Sequence, residues 1–290
     1  MRRLALTFGL TLAPIVIFAW SGLANATPFF FSTGNVDGLI ATASRPSSAG
    51  KIEIESADDF IVGAGNTLTL TSATFQGLIP TGASLSSIGT VRVEIYRVFP
   101  ADSTNPPSGN VPTRVNSPSD VAFAERESGG AGLTFTPGIV QPSFTANNSV
   151  LNGINKIPNQ LTGGEGAVTG QQVQFNVLFT TPFTLPADHY FFVPQVELSS
   201  GDFLWLSSIR PIVAPGTPFA PDLQSWIRNE DLAPDWLRIG TDIVGATTFN
   251  AAFTLSGDLA PVPEPATLLL CGITMAGLGL ATRRRRRGQS

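Results

Sequence analysis

Thiols are almost missing from this 290-residue chain, whose one cysteine, Cys271, lies in an apolar stretch near the C-terminus. The residues before it can form neither a disulfide framework nor a cysteine-ligated zinc site, so their stability must come from an ordinary apolar core. Histidine is as scarce. The single one, His189, follows Pro186-Ala187-Asp188 at the start of a predicted strand, where an exposed, turn-like polar role is expected. No His-Glu-x-x-His, Gly-x-Ser-x-Gly, phosphate-binding loop or dinucleotide fingerprint is present. These absences leave the common histidine, metal and nucleotide chemistries without their parts, and the chain is read as a non-enzyme. A glycan-cleaving hydrolase needs only two carboxylates across a groove, and Asp58, Asp59, Glu94, Asp202, Asp222 and Asp235 are available. Their spacing along a β chain does not show that any two meet.

Both ends of the chain read as addresses. Arg2 and Arg3 precede an uncharged apolar run over residues 4–20, and Ala24-Asn25-Ala26 supplies a small-x-small exit, so a signal peptide cleaved after Ala26 is expected. The rival reading, a retained membrane helix, is disfavoured by Pro14 and by the small-residue exit. The arginine pair lacks the flanking residues of a twin-arginine signal, which favours general secretion. At the other end, Pro263-Glu264-Pro265 is followed by sixteen uncharged residues, 266–281, and then by Arg283, Arg284, Arg285, Arg286 and Arg287. As a helix those sixteen residues would extend about 24 Å, short of a hydrocarbon core of roughly 30 Å, so the flanks must help them span. The arginines would act as a stop-transfer on the cytoplasmic side, leaving residues 27–265 beyond the inner membrane. Within the run, Gly272 and Ala276 form a small-xxx-small pair that suits helix packing as well as mere low bulk.

In order, spacing and position, the series Val262-Pro263-Glu264-Pro265-Ala266-Thr267, an apolar Gly- and Leu-rich helix and an arginine cluster resembles the PEP-CTERM sorting signal. The resemblance implies that an exosortase cleaves near Pro263-Glu264-Pro265. It also implies that the body passes from an inner-membrane intermediate to the surface or the exopolysaccharide and biofilm matrix of a Gram-negative bacterium. It covers only residues 262–290 and leaves the role of the body open. A plain single-pass anchor with a proline-bearing linker would use the same residues.

Without its ends the chain changes sign of emphasis. Of 17 basic residues, Arg2, Arg3 and the five tail arginines go and ten stay; of 21 acidic residues only Glu264 goes and twenty stay, so the body carries about −10. Such a surface attracts neither nucleic acid nor anionic membrane. Strand signals dominate it. Val173, Phe175, Val177 and Phe179 alternate with Gln172, Gln174 and Asn176, and further strands are predicted at 51–55, 59–62, 67–78, 90–99, 121–126, 190–198, 203–209, 236–239 and 247–255. With no amphipathic helix between them, an antiparallel β-sandwich of jelly-roll type is expected, as one domain with long loops at about 100–119 and 137–170. Two smaller domains are the alternative.

Ligand candidates follow from residue type. Asp58-Asp59-Phe60, entering a strand after a polar turn, resembles the acidic opening of secreted jelly-roll domains, where it implies a structural calcium site; the plainer reading is a strand-start pair that binds local backbone. Trp226 and Trp236, in the segment 222–238 that follows Pro221 and contains Pro234, are expected in an exposed loop or edge strand with Tyr190 nearby, as carbohydrate contacts of a binding module. Burial as core is the plainer reading for all three.

Overall fold

The computed structural model describes residues 26–104, 109–155, 161–209, 222–245 and 248–262. The expected leader, the tail behind Val262, its arginines and the sorting residues Pro263, Glu264 and Pro265 lie outside these. Among the described residues, none forms a helix long and apolar enough to cross a membrane.

The described residues form an all-β structure of twelve strands in one open, mixed sheet: β1 (Thr27–Ser32), β2 (Val36–Ala43), β3 (Ile54–Pro80), β4 (Ile88–Arg97), β5 (Ala124–Glu127), β6 (Thr134–Ala146), β7 (Asn148–Val150), β8 (Val168–Leu198), β9 (Leu204–Ser208), β10 (Trp226–Asn229), β11 (Leu237–Arg238) and β12 (Phe253–Pro261). The main path is β5-β4-β8-β3-β9-β2-β7. On it, β6 joins β8, β12 joins β3 and carries β1, and β10 joins β3 and carries β11. β2 and β7 run parallel and the other ladders antiparallel.

β3 and β8 are 27 and 31 residues long, far beyond the usual strand of about five or six. β3 joins the predicted strands 59–62 and 67–78 and the end of 51–55, and β8 joins the Gln172-to-Phe179 strand with 190–198, because the Gly63-Ala64-Gly65-Asn66 and Thr180-Thr181-Pro182 breaks are absorbed as register shifts instead of turns. The ladder curls on itself as a result. Phe75 lies beside Phe175 in the ladder and Phe192 beside Asp58, yet the rings of Phe75 and Phe192 meet at 6.4 Å. Around them Phe75 stacks on Phe175 at 4.9 Å, Phe192 on Phe253 at 5.1 Å, and Trp205 meets Phe253 edge-on at 5.7 Å. This cluster takes Phe60, Ile95 and Phe192 from one face of β3, β4 and β8, while Ala57, Tyr96 and Phe191 from the other face pack with Leu223, Trp226 and Trp236. The centre of the sheet is thus buried on both sides.

The expected loop over 137–170 is corrected at its front, where residues 134–146 form β6. Pro137 and Pro142 weigh against a strand, but β6 pairs only with β8, and its register shifts flank Gln141. An edge with bulges is where proline is tolerated, since the missing N–H would face solvent.

Gly257 lies at the register shift of β12 against β3. A methyl group there would sit 2.1 Å from the Thr69 carbonyl oxygen and 2.9 Å from Leu70 Cα. Backbone cannot step aside as a side-chain tip can, so Gly257→Ala is expected to cost about 1–3 kcal/mol, the usual penalty of overpacking. Urea unfolding checks this; an unchanged midpoint would contradict the tight approach.

Candidate functional site

The two ends of the described body lie on one sheet margin. β1 runs against β12 with Thr27 opposite Leu259 and Ser32 opposite Thr254. β12 stays paired with β3 until Pro261 meets Asn66, and the Val262 amide donates to the Gly65 carbonyl at 2.8 Å. Ala26, the residue before the expected leader cut, is exposed immediately ahead of β1. The sorting residues therefore follow the last hydrogen-bonded position of the body without a spacer.

Asp58 and Asp59 are brought into the interior, where their carboxylates fasten crossing segments. Asp58 accepts from Ser225 Oγ at 2.9 Å and from the Ala251 amide at 2.8 Å. Asp59 accepts from the Leu223 amide at 2.8 Å and pairs with His189 Nε2 at 2.6 Å. Alternation explains the split, since adjacent residues of a strand face opposite sides. Burial, then the neighbouring Asp59 charge, holds the Asp58 carboxyl well above the ordinary range, and burial raises Asp59. The oxygens that the calcium expectation required are thus engaged by protein donors, and the described residues contain no group of three or more His, Cys, Asp or Glu arranged to hold a metal. His189, expected at an exposed turn, is fully buried, because Asp59 gives its ring a partner inside.

The aromatic expectation is corrected too: Trp226 and Trp236 are 1% and 0% exposed, and Tyr190 is 1% exposed. The 222–238 segment does form short strands, but it lies over β3 and β4 with its rings inward. Trp236 Nε1 donates to the Ser119 carbonyl at 3.0 Å, and Tyr190 Oη donates to the Pro186 carbonyl at 2.8 Å. None of the three presents a free stacking face.

Sequence reasoning passed over the charged cluster beneath that segment. Glu55, Glu94 and Tyr96 face Arg228, which donates to both Glu55 oxygens and to Tyr96 Oη, with its guanidinium 4.4 Å from the Trp236 ring centre. Beside them, Glu53 accepts from Arg92 at 3.2 Å and from Gln195 at 2.9 Å. The available signal was a period-two run of polar residues at 92, 94 and 96, interleaved with Val91, Val93 and Ile95. Of the candidate hydrolase carboxylates, Asp58, Asp59 and Asp222 converge in the interior. Glu94 joins the Arg228 cluster, Asp202 pairs with Arg45 and Lys51, and Asp235 pairs with Arg114. All but Asp202 are buried.

Burial, followed by the charges of Glu55 and Glu53, pushes the Glu94 carboxyl up to about 9. The folded state then binds this proton more tightly than the unfolded chain does. Its stabilisation is complete below the ordinary glutamate range and is lost as pH rises towards the folded value. Melting temperature is expected to fall between about pH 5 and pH 9, and Glu94→Gln, which mimics the neutral acid, to flatten that slope. Melting curves across this range check it; an equal slope in both proteins would remove Glu94 as the cause.

A family model for the PEP-CTERM protein-sorting motif matches residues 261–286, from the last residue of β12 through Arg286. No curated protein and no solved structure matches the chain. The match is confined to the tail, and it falls on the proline-glutamate-proline, the apolar run and the arginines read from the sequence. The chain therefore carries a PEP-CTERM protein-sorting motif at the C-terminal end of the body, and that motif implies an exported protein processed as an exosortase substrate.

Proposed function

We propose that this protein is a non-enzymatic constituent of the cell surface or of the exopolysaccharide and biofilm matrix of a Gram-negative bacterium. General secretion delivers it, the stretch 266–281 holds it as an inner-membrane intermediate, and exosortase processing near Pro263-Glu264-Pro265 releases the body. One observation carries the reading: the matched motif begins at Pro261, where β12 ends, so an all-β body is joined directly to a sorting signal. The curled β3–β8 ladder supports a sandwich-like body, and a thiol-free core suits an oxidising exterior. The non-enzymatic part rests on the fate of the chemistry-bearing groups. His189 is sealed against Asp59, and the hydrolase carboxylates are buried or ion-paired away from any shared groove.

Replacing Pro263, Glu264 and Pro265 by alanine in the native host tests the route. The parent is expected outside the cell, beginning at Thr27 and lacking the arginines, whereas the variant stays in the inner-membrane fraction. The same retention is expected of the parent when the exosortase is inactivated. Cytosolic protein still carrying Met1 would overturn the proposal.

A further inference from the structure

Over 72–76 of β3 and 174–178 of β8, away from the doubly buried centre, five neighbouring strands in the order β1-β12-β3-β8-β6 turn one face to the shared core and the other to solvent. Cross-strand register lays out the outer face. One row runs Ser32, Thr254, Thr74, Asn176 and Thr136, and the next runs Phe30, Ser256, Ser72, Leu178 and Thr134. A third, shorter row is Gln76, Gln174 and Gly138. No acidic or basic residue occurs in these rows, although the body carries thirty charges. At about 4.8 Å between strands, the rows are roughly 19 Å wide. Phe30 and Leu178, 70% and 56% exposed, are the large apolar side chains of the second row.

The polar side chains are already held in place. Thr74 and Thr254 share a hydrogen bond of 2.7 Å, Gln172 donates to Gln76 at 2.7 Å, and Gln174 donates to Asn176 at 2.9 Å. Gln76 also donates to Gln174 at 3.4 Å and Asn176 to the Thr136 carbonyl at 3.3 Å; each amide has two N–H groups and two carbonyl lone pairs, so a donor and an acceptor position stay open on Gln76, Gln174 and Asn176. Fixing them beforehand lowers the ordering cost of binding. A dry contact with a second copy would strip water from this grid with only two large apolar residues in return, at roughly 1–3 kcal/mol for each group left unmatched. A polyanion gains nothing from rows that hold no basic residue, flanked by the exposed Asp258 opposite Pro28 and Thr69, on an acidic body. A chain of uncharged sugars answers both demands, since its hydroxyls match amides and hydroxyls while its C–H faces suit Phe30 and Leu178.

We infer that this outer face binds an uncharged polysaccharide, lying across β1, β12, β3, β8 and β6. This deepens the matrix reading above, yet its assay is independent of sorting: export could fail while binding holds, and the reverse. The full chain, purified in detergent, is run by affinity electrophoresis through gels containing neutral glucan, mannan or galactan, with alginate as the anionic comparison. Retardation by at least one neutral polymer, unchanged between low and high salt, is expected. Phe30→Ala and the double variant Gln174→Glu, Asn176→Asp are each expected to weaken it at least about tenfold, equivalent to about 1.4 kcal/mol. Their melting temperatures are to stay near the parent value, and Thr136→Arg on the exposed edge serves if either fails to fold. Absence of retardation by every neutral polymer overturns the inference. So does retardation by alginate alone, equal binding by folded variants, or concentration-dependent self-association that the same substitutions abolish.

Discussion

The antiparallel pairing of β3 with β8 is the constraint on which the other strands depend. It runs from Asp58 opposite Phe192 to Pro80 opposite Gly170 and takes up two register shifts. β4 and β6 attach to β8, while β9, β10 and β12 attach to β3, so most of the sheet grows from this ladder. Its curl also makes the core, since Phe75 and Phe192 become neighbours only because the ladder turns back. Such non-local pairing closes long loops before its contacts reward it, which is characteristic of slow-folding β topologies.

Around this ladder, buried polar groups do the fastening that disulfides perform in many exported domains. Asp58 and Asp59 hold the segments before β10 and β12, and Arg228 ties β10 to Glu55 and Tyr96. Arg114 and Asp235, both nearly sealed from solvent, join the loop after β4 to the segment before β11. Pairs of this kind add little when complete, because desolvation offsets their attraction, but losing one partner leaves an uncompensated buried charge costing about 3–5 kcal/mol. Their effect is to fix which segments cross the sheet, and where.

Strand content was legible because apolar residues alternate, as the run from Gln172 to Phe179 illustrates. Strand limits were less so. Gly63 to Asn66 reads as a turn in isolation, yet partners on both sides hold it within β3. β6 was hidden by two prolines that an edge accepts, and the short β7 owes its form to pairing with β2. At the tail, position and residue order alone carried the reading, and the family model matches the same stretch. For Asp58, Asp59, Trp226 and Trp236, residue type suggested exposed ligand contacts, whereas partners more than a hundred residues away, such as Ser225 and Ser119, placed them inside. Sequence spacing carries no information about such encounters.

The placement of β12 has a mechanical corollary. A pull at Pro261 directed along β12 would load a strand held by β3 on one side and, from Thr254 to Leu259, by β1 on the other. Those hydrogen bonds lie across the line of force and share the load together, instead of parting one after another as in a peeling hairpin. A body joined to the membrane through this strand would hang in shear, the stronger geometry for resisting extraction.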